Sequence, residues 1–71
     1  MSETVKLWTL NMLDTELKTV EGDISNNKVW LKGCGNDEMI ADYKQHILDL
    51  EEYREVLIQM KKKIEEGDLD I

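Results

Sequence analysis

Apolar residues recur along this chain at alternating steps of three and four. In the first half the row is Leu10, Leu13, Leu17, Val20, Ile24 and Leu31, with Asn27 in the one polar slot. In the second half it is Met39, Tyr43, Leu50, Tyr53, Leu57, Met60 and Ile64, with His46 in the polar slot. Such spacing gathers side chains into one stripe of a helix, the a/d seam of a coiled coil. Alternation at period two is not sustained anywhere, so the expected class is all-α. Between the two rows lies KGCGND, residues 32–37, the dense breaker cluster of a chain without proline.

Folding the chain back at Gly35 makes an antiparallel hairpin in which facing residues have position numbers of constant sum. The expected pairs are Leu31 with Met39, Asn27 with Tyr43, Ile24 with His46 and Val20 with Leu50. Leu17 then meets Tyr53, Leu13 meets Leu57, and Leu10 meets Met60. One register thus joins both seams along their whole length and puts the turn on the glycines. On one flank the same register brings Asp14 near Arg54.

Local signals set the expected boundaries: a helix over about 3–32, a turn at 33–36, a helix over about 37–66 and a frayed tail at 67–71. Gly33 is suited to the left-handed conformation that ends many helices. Asn36 or Asp37 can cap the second helix, and Asp37 and Glu38 complement its positive N-terminal end. Lys61, Lys62 and Lys63 complement the C-terminal end, with Gly67 as the stop. The weak stretch is EGDISNNK, residues 21–28, because Gly22 costs about 1 kcal/mol relative to alanine in a helix interior. The seam passes through it, so a continuous first helix is expected.

Length and charge narrow the function classes. With 71 residues there is room for one domain, and its core is small. One cysteine permits no internal disulfide, and one histidine without a CxxC gives no metal-ligand spacing. Stability must come from helix packing and association, toward a four-helix bundle or larger helical oligomer. A net charge of -7 argues against direct nucleic-acid binding and against an anionic membrane surface. No basic segment followed by an apolar run opens the chain, and a cytoplasmic location is expected.

Catalytic signals are weak. His46 has no nucleophile beside it and is expected as a packed or half-buried seam residue. Asn27 and Tyr43 are expected to help fix the register, as polar residues at seam positions do. Cys34 is expected as an exposed, inert turn residue, since reactivity needs an electropositive setting. GCGND is followed by no Walker lysine, and no calcium loop is present. No enzyme activity and no cofactor are expected.

The apolar surplus points instead to binding. At 100° per residue, Val5, Trp8, Met12 and Trp30 fall within about 60° of one another. They lie well away from the seam, so the hairpin cannot bury them itself. They form the candidate interaction face, for a second copy of the chain or for another protein.

The stretch KVWLKGCGNDEMIADYKQHILDLEEYREVLIQMKKK resembles small acidic helical-hairpin proteins of bacteriophages and prophages of Gram-positive bacteria. The matching residues are Trp30, Lys32, Gly33 and the segment HILDLEEYREVL. The resemblance implies a helical hairpin in a phage context, in the host cytoplasm, with no catalytic residue. It implies an accessory protein that binds a host or phage protein, as an inhibitor or counter-defence factor. The alternatives are an acidic nucleic-acid mimic, a structural assembly element or an oligomeric nucleotide-signal sponge. The sponge is disfavoured, because Lys28, Lys32 and Arg54 are the few cations near the seam.

Overall fold

Two capped helices account for nearly all of the described residues, 2–67, of the computed structural model. Met1 and residues 68–71 lie outside the described residues, and most of the expected tail falls there. Helix α1 spans Glu3–Lys32 and helix α2 spans Asp37–Glu66, with no strand among the described residues. Ser2 caps α1 by accepting a hydrogen bond from the Val5 amide at 3.1 Å. Asn36 caps α2, its Oδ1 accepting from the amides of Glu38 and Met39 at 2.9 and 3.2 Å. Each cap satisfies amides that would otherwise lack a partner at a helix start.

The weak stretch of α1 holds. The helix runs without a break through Gly22 and Asn27. Asn27 is buried on the seam, and its amide donates to the Asp23 carbonyl one turn back at 2.7 Å. That bond satisfies the buried amide within its own helix rather than across to Tyr43.

The turn differs from expectation in its handedness. Gly33 sits in the right-handed region, at φ -88° and ψ -1°. Its amide donates to the carbonyls of Val29 and Trp30, and the Cys34 amide donates to Leu31, so α1 ends in a tightened last turn. The left-handed glycine is Gly67, at φ 81°, which closes α2.

The two helices pack on each other in an antiparallel hairpin with a long axis of 51 Å. Leu13, Val20, Ile24, Leu57 and Ile64 form the core cluster, with Leu10, Leu17 and Leu50 packed against it. On α1 these are the residues of the expected row. On α2 only half of that row is in place. Leu57 and Ile64 are buried, and Tyr43 and Leu50 are half-buried. Met39, His46, Tyr53 and Met60 are exposed instead; of the residues that follow them, Ile47 is buried, Ile40 and Lys61 are half-buried, and Arg54 is exposed like Tyr53 before it.

The physical reason lies in what each row would bury. His46 in the seam would need partners for its ring nitrogens, whereas Ile47 at 7 % exposure buries only carbon. Arg54 and Lys61 stand beside the seam, with side chains 45 % and 33 % exposed. Those charges meet acids of α1. Arg54 Nε donates to Glu21 Oε1 at 3.3 Å, and Lys61 Nζ lies 2.6 Å from Asp14 Oδ1. Asp14 therefore pairs one heptad beyond Arg54, its expected partner.

The seam assignment has a direct test. Ile47→Val should cost about 0.5–1.5 kcal/mol in urea unfolding, as for a methyl removed from a packed site. His46→Ala should stay within about 0.5 kcal/mol, as for a surface site. A larger loss for His46 than for Ile47 would restore the other row to the core.

Candidate interaction surface

The outward face of α1 begins with Val5, Trp8 and Met12. Trp8 is 69 % exposed and Met12 61 %. This end of α1 lies beside the C-terminal end of α2, because Asp14 meets Lys61. The face does not continue as an apolar stripe to Trp30. Between Met12 and Trp30 it carries Thr19, Asp23 and Asn26, all exposed, over roughly 27 Å of helix. Thr9, Thr15 and Thr19 fold their hydroxyls back onto the carbonyls of Val5, Asn11 and Thr15.

Trp30 belongs to the turn end. Its ring lies 6.4 Å from that of Tyr43 on the other helix, tilted by 46°. Such a pair contributes about 0.5–1.5 kcal/mol beyond its buried area. With Cys34, Asn36 and Met39 the two rings line an open hollow beside the turn. Cys34 is half-buried rather than exposed, and its thiol points to the Asn36 carbonyl at 3.7 Å. The four candidate residues thus divide: Val5, Trp8 and Met12 stand at the open end of the hairpin, and Trp30 at the closed end.

The row displaced from the seam supplies exposed residues that the periodicity had hidden. Met39, Tyr53 and Met60 are each about half exposed, and Val56 stands beside them. Val56 and Met60 share a shallow groove with Glu52, Glu55, Gln59 and Lys63. Tyr53 donates its hydroxyl toward Glu16 Oε1 at 3.5 Å. Glu16 and Glu21 are about 140° apart around α1, so this contact and the Arg54 pair lie on opposite sides of the seam. The signal that separates the two rows is the pair of isoleucines, Ile40 and Ile47, at the same seven-residue spacing one step on.

Among the described residues, no cluster of three His, Cys, Asp or Glu side chains is placed to hold a metal ion. No described helix is long and apolar enough to cross a membrane.

The charged side of the seam carries a pH-dependent contact. The hydrogen bond from Lys61 to Asp14, and then the charge of that carboxylate, raise the Lys61 ammonium above the ordinary lysine value of 10.5. A raised lysine stabilises the fold fully below its unfolded value, and the contribution is lost as pH rises through the folded one. The stability difference between wild type and Lys61→Gln should therefore be constant from neutral pH to near 10 and shrink above it. Thermal melts of both proteins across that range check this, and Asp14→Asn should remove the effect. A difference that instead disappears on acidification from pH 9 to 7 would contradict it.

No protein-family model matches the chain, and no curated protein or solved structure is similar enough to count as a relative.

Proposed function

We propose that this chain is a non-enzymatic binding module, a phage-type accessory protein that docks on a host or phage protein and associates with itself. The observation that carries the reading is the exposure of large apolar side chains on so small a hairpin, with Trp8 foremost. Tryptophan is the residue type most enriched among the few that dominate binding energies. The phage context rests on the resemblance around Trp30, Lys32 and Gly33.

Two further features favour binding over chemistry. Cys34 and His46 stand apart, with His46 about three turns into α2 from the turn that holds the thiol. Arg54, one of the few cations near the seam, is engaged by Glu21. An acidic mimic of nucleic acid is the second reading, favoured by Glu51, Glu52 and Glu55, which are all exposed on α2.

Affinity capture from a bacterial host lysate, followed by titration of the purified partner, separates the two. On the protein-docking reading Trp8→Ala weakens binding by roughly thirty-fold or more, the loss expected for a central anchor. Reversing Glu51, Glu52 and Glu55 to lysine then changes affinity by no more than a few-fold. The opposite pattern, with Trp8→Ala silent and the reversals abolishing binding in a salt-dependent way, would favour the mimic.

A further inference from the structure

Helix α2 carries two heptad rows, and the hairpin uses one of them. The other row is Met39, His46, Tyr53 and Met60, spaced by seven over nearly the full length of α2 and exposed throughout, with the Tyr53 hydroxyl reaching Glu16 of α1 at its edge. A row that keeps heptad spacing over some 30 Å matches another long helix lying nearly parallel or antiparallel to it. It does not match a compact pocket or a short peptide turn.

The chemistry of α2 chooses the direction. The helix starts with Asp37, Glu38 and Asp42 and carries Lys61, Lys62 and Lys63 near its other end, followed by Glu65 and Glu66. A second copy of α2 laid antiparallel, with Met39 over Met60, puts the lysine triplet of each helix over the Asp37–Glu38 start of the other, and Glu65 and Glu66 beyond it. A parallel copy would stack acid on acid and lysine on lysine, and like charges across an interface oppose pairing. The row itself is also nearly symmetric under the antiparallel operation. Met39 of one copy comes to Met60 of the other, and His46 comes to Tyr53. That self-complementarity is what a two-fold interface requires.

We infer that the exposed Met39, His46, Tyr53 and Met60 row is the docking face for a second copy of this chain, antiparallel about a two-fold axis near the middle of α2. The inference rests on the self-association proposed above and gives it a face and a direction. Val5, Trp8 and Met12 remain on α1, available to a different protein.

Disulfide trapping tests the arrangement. Cys34 is first replaced by serine, and Met39→Cys and Met60→Cys are introduced separately, both at exposed positions. Circular dichroism establishes that each variant keeps its helices. Mild oxidation of the mixture should give a covalent dimer holding one of each variant, while either variant alone stays largely unlinked. Within one chain the two sites are roughly 32 Å apart along α2, too far to bridge. Tyr53→Lys should raise the dimer dissociation constant by more than ten-fold. Self-linking of Met39→Cys without the mixed product would overturn the direction. A dimer in sedimentation that gives no trapped product, and that Tyr53→Lys leaves intact, would overturn the face while leaving self-association standing. A monomer at all concentrations would overturn both.

Discussion

The hairpin depends on one contact, the apolar seam between α1 and α2. Leu13, Val20 and Ile24 from one helix meet Leu57 and Ile64 from the other, and Leu13 is only 2 % exposed. Helices of thirty residues gain most of their stability in proteins from such an apolar face rather than from intrinsic propensity. No disulfide supports this one, since Cys34 has no second cysteine to join. The caps at Ser2, Asn36 and Gly67 fix where the helices begin and end, but each is worth only about 1 kcal/mol. A seam built from so few buried side chains leaves many others outside, and the proposed binding role grows from that remainder.

The seam also decides what the surface looks like. On α2 the residues at 43, 50, 57 and 64 belong to either of two adjacent stripes, and the companion row can lie one residue before or after them. With Ile40 and Ile47 inside, Arg54 and Lys61 fall beside Glu21 and Asp14. These are exposed ion pairs whose charges water screens, so they support the choice and do not make it alone. Burying isoleucine rather than an imidazole carries more of the preference. The consequence is a row of two methionines, a tyrosine and a histidine turned outward along the whole of α2.

Much of this was legible in the residue order. The α1 row can be read directly, because Leu10 to Leu31 leave no adjacent apolar row to compete with it, and Asn27 is buried in its polar slot. The continuity of α1 through Gly22 was legible from the same row. The α2 row was ambiguous, because Met39 and Met60 are as apolar as Ile40 and Ile47, and periodicity does not rank two stripes one residue apart. Partners on the other helix decide it, and those appear only when the helices are brought together. By residue type Gly33 suits a left-handed cap, yet the tightened last turn of α1 needs no left-handed residue there. Val5, Trp8 and Met12 could be placed away from the seam by angle alone. Angle alone could not show that polar residues interrupt the stripe before Trp30, or that Trp30 leans on Tyr43 across the hairpin.

In the proposed role, the apolar remainder of a thin hairpin is the means by which it associates. Coupling between folding and association is then unavoidable, because a partner that binds only the folded chain raises its stability by mass action. Thermal unfolding of the wild-type chain, followed by circular dichroism from low micromolar to near-millimolar concentration, measures that coupling directly. For a self-associating hairpin the midpoint climbs steadily with protein concentration. A midpoint that stays fixed over the whole range would contradict the proposed role, and would mean that the hairpin stands alone.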